Sequence, residues 1–506
     1  MKKLLIYPLL ALLFVAGTSC DNGFDELNTN KTAVTALNPA FMLNNAVINA
    51  SFPGGTLVYE MGIVQHIVTP NSGVLTGANY NQDNRNVTQE IWQRYYRSVI
   101  RNTADAINST KNNPNRSNLL NMARIFQAYG FMVLTDTYGD VPYFQAGKGF
   151  TDQAVLPKYD AQEAIYTDII KELTEATAAL DATKTRETAD ILYGGDIAKW
   201  KRLGNSLLLR AGMRLSKVNA NLAQQTVQKA VQGGVMQSNA DNAVVRHNAN
   251  YVNGLGSTLN ATEANNYYLA APFVNYLKST NDPRLRAIAV RYVGAASGPE
   301  QVPARANTDP AVQIGMPLGF DNTGITAQAK AEGLASFYEY SQLDRTRLAK
   351  LQSAMFLVTH SQTQLLLAEA VQRGWVQGTI ANHYTAGVRA HMEQLAENDP
   401  GSAVPAAAID AYLAANPFDA SKALEQINTQ YWISSLMNGP EAFANFRRSG
   451  FPNLTPNPFP GKGIKGNFIR RLTYPNSEVS VNSTNLKEAT ARMGVDDLDT
   501  RVWWDK

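Results

Sequence analysis

Cysteine is almost missing from this chain of 506 residues: Cys20 is the only one. A single thiol excludes an intramolecular disulfide framework and any cysteine-built zinc or iron–sulfur cage. Charge is also scarce. Asp, Glu, Lys and Arg make up 17% of the residues, against roughly 25% in ordinary soluble domains. The 45 basic and 42 acidic residues leave a formal charge of +3, which gives no electrostatic footprint for nucleic acid. There are five histidines, none in an HExxH arrangement, and no GxSxG nucleophile elbow. What is plentiful is apolar, at 44%, enough to exclude wholesale disorder, together with Asn, Gln, Ser, Thr and Tyr. Such a surface suits neutral polar ligands better than phosphates. At roughly 100–200 residues per domain, the length allows about three domains or one large elaborated one.

Long apolar runs are missing too, except at the start. Met1-Lys2-Lys3 precedes an apolar stretch from Leu4 to Gly17, shorter than the about 20 residues needed to span a bilayer, as in a secretory leader. Gly17-Thr18-Ser19-Cys20 then resembles a bacterial lipobox, except that Gly17 stands where an aliphatic residue is usual; the alternative is an ordinary secretory signal that happens to contain a Cys. The expectation is a lipoprotein signal peptide over 1–19, lipidation of Cys20 and a tether over 20–38. Cleavage removes Lys2 and Lys3 and takes the formal charge from +3 to +1.

Helical periodicity dominates the chain beyond the tether. Val87–Asn108 places Ile91, Tyr95, Val99 and Ile100 on one stripe, and Asn118–Thr135 repeats the pattern through Leu119, Met122, Phe126 and Tyr129. Ala161–Leu180 and Asp196–Asn219 predict two more helices, the second opened by Asp196 as N-cap. A short one over 222–231 ends at Gly233-Gly234. Residues 235–350 change character: they are rich in Gly, Pro, Asn and Tyr and read as a loop-rich ligand region. Periodicity returns at Leu351–Arg373, Gly378–Glu397, Ala406–Ala415 and Ala420–Met437, and the last 60 residues are again rich in Pro, Asn and Gly. Small residues such as Ala368 and Ala370 would let paired helices approach. The pattern suggests a tetratricopeptide-like array without a strict repeat.

Motifs for chemistry are weak. Gly461-Lys-Gly463-Ile-Lys-Gly466 fits GxGxxG, but a dinucleotide site needs a strand before it, and the prolines of 453–460 forbid one. His383 and His391, two helical turns apart with Glu393 nearby, are more simply a helix face than a metal site. Asp136 and Asp140 are the best carboxylate pair for glycosidase-like acid–base work. Yet Tyr138-Gly139-Asp140-Val141-Pro142 reads as a turn closing a helix, with Gly and Asp as caps. No catalytic residue, metal or cofactor is expected. Aromatic rings remain. Tyr80, Tyr267, Tyr268, Tyr292 and Phe320, with Tyr338 and Tyr340, lie in or beside loops, where flat faces suit the C–H faces of sugars. Each could equally be a core ring. Trp92 and Trp200 lie on helices and read as core.

Several segments together resemble the SusD/RagB-like family, the outer-membrane nutrient-binding lipoproteins of Bacteroidetes. They are the start at Cys20, Thr135–Tyr143 (TDTYGDVPY), Trp200–Ser216 (WKRLGNSLLLRAGMRLS), Asn281–Leu285 (NDPRL) and Leu366–Ala370 (LLAEA). Met437–Pro452, Arg470–Glu478 and Asp496–Asp505 complete the series, in the family's order. The resemblance implies one mostly α domain over 39–506, a tetratricopeptide-like scaffold of helical pairs carrying a loop-rich ligand part. It also implies a non-catalytic protein at the outer membrane that captures oligosaccharides, or in some members peptides. Such proteins sit as a lid on a TonB-dependent SusC-like transporter. These shared segments are scaffold and carry no ligand residues over. A hydrolase using Asp136 and Asp140 is the remote alternative.

Overall fold

A computed structural model describes residues 38–71, 76–149, 151–261 and 266–506. Its leading helix, α1 (Pro39–Asn49), packs on a long interrupted rod made of α2 (Arg85–Arg94), a π-helical segment Tyr95–Ile100 and α3 (Arg101–Thr110). The antiparallel α4 (Ser117–Tyr138) and α5 (Gln162–Ala179) come next, then α6 (Ile197–Arg214) and α7 (Ala220–Gly233). The boundaries have local causes. Asp196 accepts the amide of Lys199 at 3.1 Å and opens α6. Gly139, at φ +86°, closes α4, and Gly234, at φ +85°, closes α7. Asp140, expected to cap the helix before it, caps the one after it: its carboxylate accepts the amide of Gln162 at 2.9 Å.

The tract 235–350 is less loop-like than its composition predicts. It holds α8 (Ala271–Ser279) and α9 (Asn322–Ala331), and most of three small antiparallel sheets. β1 (Ile67–Val68) pairs with β3 (Tyr268–Leu269), and β2 (Ala243–Val245) with β7 (Met355–Val358). β4 (Ala289–Tyr292) lies between β5 (Ala306–Asn307) and β6 (Gln342–Leu343). Strands of two to four residues leave no readable alternation in a sequence. The helix expected from Leu351 likewise starts as β7. α10 (His360–Gln372) begins only where Thr359 forms a capping box with Gln362.

The second helical array comprises α10, α11 (Ile380–Gln394), α12 (Ala406–Ala415), α13 (Ala423–Ser434) and α14 (Gly439–Ser449). α15 (Ser483–Met493) lies in the tail. α10 and α11 approach closely, since a Cβ on Gly387 would lie 2.7 Å from Leu365. Ala368 and Ala370 are buried in the same layer, and Trp92 and Trp200 are core rings.

Ion pairs around buried acids hold the scaffold together, several of them between segments distant in the chain. Arg214 on α6 bonds Asp136 on α4 at 3.1 Å and Glu441 on α14 at 2.8 Å. Arg448 and Arg373 bracket Glu369 at 2.7 and 2.8 Å. Asp505 meets Lys217 at 3.2 Å and Arg470 at 2.5 Å. Arg284 is held by Asp282 and Gln430. The segments that carry the family resemblance are thus largely the ones that supply these charges. Breaking one partner would strand the other without water, which explains why such residues come as sets.

Candidate functional site

Two loops, 76–82 and 453–466, meet the segment 314–340 that carries α9. Asn79 is the clasp. Its amide nitrogen donates to the carbonyl of Phe320 at 2.9 Å, and its amide oxygen accepts from Gly319 at 3.3 Å. Asn457 donates to the Asn79 carbonyl at 2.8 Å. Gly319, at φ +80°, comes so near that a Cβ would sit 2.8 Å from Pro458. Gln82 donates to the Gly461 carbonyl at 2.7 Å, and Gly463 to that of Asn81 at 2.9 Å. Gly461–Gly466 is therefore a turn clasped onto the first loop, with no strand before it.

The expected stacking rings divide by depth. Tyr80, Tyr267, Tyr268 and Tyr292 are buried, so protein already covers their faces. Tyr80 donates its hydroxyl to the Pro70 carbonyl and sets its ring edge-on to Phe459 at 4.6 Å. Burial pushes its hydroxyl up to about 12. Tyr268 packs with Val68, Met316, Ile325 and Tyr340 in a satellite core. Tyr292 lies under the Arg345 guanidinium, 5.5 Å from the ring centre. Phe320 is half-buried, resting on the satellite core.

Three more half-buried rings share this surface. Phe337 and Tyr338 stack on one another at 4.2 Å and 28° on a 3₁₀ turn, and Phe459 caps Tyr80. Phe337 and Phe459 escape a reading of sequence alone. The adjacent Phe337-Tyr338 letters carry a signal only once Tyr268 is known to sit beneath Phe337, 6.1 Å away. Phe320 and Phe337 thus rest on one satellite core, Tyr338 stacks on Phe337 and Phe459 covers Tyr80. Half-buried rings therefore stand over buried tyrosines on loops that Asn79, Gln82 and Asn457 clasp together. Apolar ring faces suit the C–H faces of a neutral, ring-shaped, hydroxylated ligand.

The carboxylates lie elsewhere and are occupied. Asp136 accepts from Tyr166, from the Trp504 indole at 2.8 Å and from Arg214. Burial pushes its carboxyl up against the pull of Arg214. Asp140 accepts from Arg492 at 2.8 Å as well as from Gln162. His391 is buried with a ring nitrogen 3.1 Å from Arg284, and burial, then that cation, pushes it well down. His383 pairs instead with Gln364 at 2.7 Å. Among the described residues, no three His, Cys, Asp or Glu side chains gather to hold a metal, and no helix is long and apolar enough to cross a membrane. Cys20, with the expected leader and tether, lies outside the described residues.

A family model described as "starch-binding associating with outer membrane", SusD-like, matches residues 29–475. The chain belongs to the SusD-like family. Among solved structures, one described as a chitin-binding protein is 34% identical, with a TM-score of 0.81 over 92% of this chain and all of its own. A Bacteroidetes AC2a SusD-like protein is 27% identical, with a TM-score of 0.80 over 93% of this chain and all of its own. A chitin-binding SusD homologue from Flavobacterium johnsoniae shares the fold at 24% identity, with a TM-score of 0.75 over 92% of this chain and 98% of its own. No curated protein matches the sequence. The mostly helical SusD-like architecture therefore stands on both the coordinates and these likenesses.

Proposed function

We propose that this SusD-like protein is a non-catalytic lipoprotein of the outer membrane that captures oligosaccharides and passes them to a TonB-dependent SusC-like transporter. The observation that carries this reading is the half-buried aromatic surface of Phe320, Phe337, Tyr338 and Phe459 on clasped loops. Tyr80, Tyr268 and Tyr292 support it from beneath, while Tyr267 packs in the main core. The engagement of Asp136 and Asp140 inside the scaffold agrees with binding in place of turnover. Cys20 is the lipid anchor in this reading.

The 34%-identical relative described as chitin-binding makes oligomers of N-acetylglucosamine the first ligand class to test. The C–H faces of their sugar rings would meet the aromatic rings. Calorimetry with the full mature chain and chitohexaose tests it, with maltohexaose as the comparison. Saturable chitohexaose binding is expected. Absence of binding to either sugar, alongside binding of peptides, would replace this reading with peptide capture.

A further inference from the structure

Three half-buried arginines stand near the loop rings, and one of them is weakly answered. Arg291 on β4 donates to the Val312 carbonyl at 2.9 Å and pairs with Glu339 at 3.0 Å. Arg347 donates to Asp344 and to the Gly401 carbonyl, each at 2.6 Å. Arg345, just after β6, has two long bonds instead, 3.4 Å to the Leu259 carbonyl and 3.3 Å to the Tyr292 hydroxyl. Among the described residues it pairs with no acid, since Asp344 is held by Arg347 and Glu339 by Arg291.

This guanidinium lies beside the rings. Its centre is 5.5 Å from the centre of the Tyr292 ring. Tyr338, stacked on Phe337, packs against the small cluster that contains Tyr292. Tyr268, beneath Phe337, feels both neighbours: burial, then Tyr338, pushes its hydroxyl well up, and Gln301 and Arg345 pull it back. Gln301 donates its amide nitrogen to the Tyr338 carbonyl at 2.9 Å. Its amide oxygen makes no hydrogen bond among the described residues and stays an acceptor.

A guanidinium has donors and no acceptor, so it matches a group that only accepts. A sugar hydroxyl accepts, but it also carries a hydrogen that Arg345 cannot satisfy. An amide carbonyl only accepts, and the amide N–H beside it suits the Gln301 oxygen. A carboxylate has no such hydrogen. The complement is a neutral sugar bearing an acetamido group.

We propose that Arg345 sets the specificity of the ring-bearing loops for acetamido sugars, donating to the acetamido carbonyl of a sugar that lies on Tyr338. This selection rests on glycan capture by the same rings and names the group they discriminate.

The full mature chain would be titrated calorimetrically with chitohexaose and with cellohexaose, which has the same linkage but no acetamido groups. The wild type should bind chitohexaose about tenfold more tightly. Arg345→Met removes the guanidinium and keeps an unbranched stem. It should weaken chitohexaose alone by about tenfold, with cellohexaose affinity and the circular dichroism spectrum unchanged. Added salt should leave wild-type affinity unchanged, because the ligand is neutral. Weakening of both sugars together would mark a merely structural role and overturn the assignment. Equal wild-type affinity for both, or a preference that Arg345→Met keeps, would overturn the selection and leave capture on the rings standing. Binding of neither sugar would overturn both. Tighter, salt-sensitive binding of hexaglucuronate that Arg345→Met loses would give the guanidinium to a carboxylate and overturn the acetamido assignment.

Discussion

Glu60 and Glu369 show how burial can push a carboxyl either way. Glu60 is buried with one oxygen unpartnered. Burial, with Glu90 adding to it, raises its pKa from 4.5 to about 8. A folded-state pKa above the unfolded one favours folding below about 4.5, and that contribution is lost as pH rises through about 8. Glu60→Gln should therefore match the wild type in urea unfolding at pH 5 and exceed it in stability at pH 8.5. Glu369 behaves oppositely. Burial opposes its ionisation, but Arg448 and Arg373 overcome it and hold the carboxyl at about 2. Its contribution, on the order of 3 kcal/mol, is complete above about 4.5 and is lost as pH falls toward 2. Glu369→Gln should be less stable than the wild type at pH 7, and the gap should narrow steadily below pH 4.5. Both curves can be read from denaturant midpoints.

At the scale of elements, the scaffold depends on close helix approach and on charges shared between helices. Gly387 sits mid-helix in α11, where alanine would ordinarily gain about 1 kcal/mol of helix propensity. Here a Cβ meets Leu365 at 2.7 Å and the Ser361 carbonyl at 3.1 Å. Gly387→Ala should therefore lower stability, by about 1–3 kcal/mol, and a gain would mean that the α10–α11 contact yields more easily than these distances imply. Replacing Asp136 by alanine leaves Arg214 with Glu441 but strips a buried partner. Calorimetric unfolding should show a loss of about 3–5 kcal/mol.

The same elements explain what a sequence discloses. Helices α4 to α7 are legible because their apolar residues recur at helical spacing and Asp196 and Gly234 mark ends. The π-helical turn at Tyr95–Ile100 is not, because Ile91, Tyr95, Val99 and Ile100 keep one stripe through it. Strands such as Tyr268–Leu269 are too short to alternate. Depth is illegible as well. Tyr268 and Tyr338 are the same letter in the same loop-rich tract, and only the packing of Met316, Ile325 and Phe337 decides that the first is covered.

The whole molecule joins clasped loops bearing half-buried rings to a helical scaffold whose buried charges are paired. The near-balanced charge suits the first, since a neutral sugar needs ring faces and amides and gains nothing from a strong field. If the loops bind glycans, their rings should act as a group. Phe337→Ala and Phe459→Ala should each weaken binding about tenfold, roughly 1.4 kcal/mol, while Tyr80→Phe, which removes only the buried bond to Pro70, should chiefly lower stability. The most direct measurement is calorimetric titration of the mature chain and its Phe337→Ala/Tyr338→Ala variant with chitohexaose. Saturable binding by the wild type and its loss in the folded variant are the outcome predicted for capture on the loop rings. Wild-type affinity in that variant would contradict it.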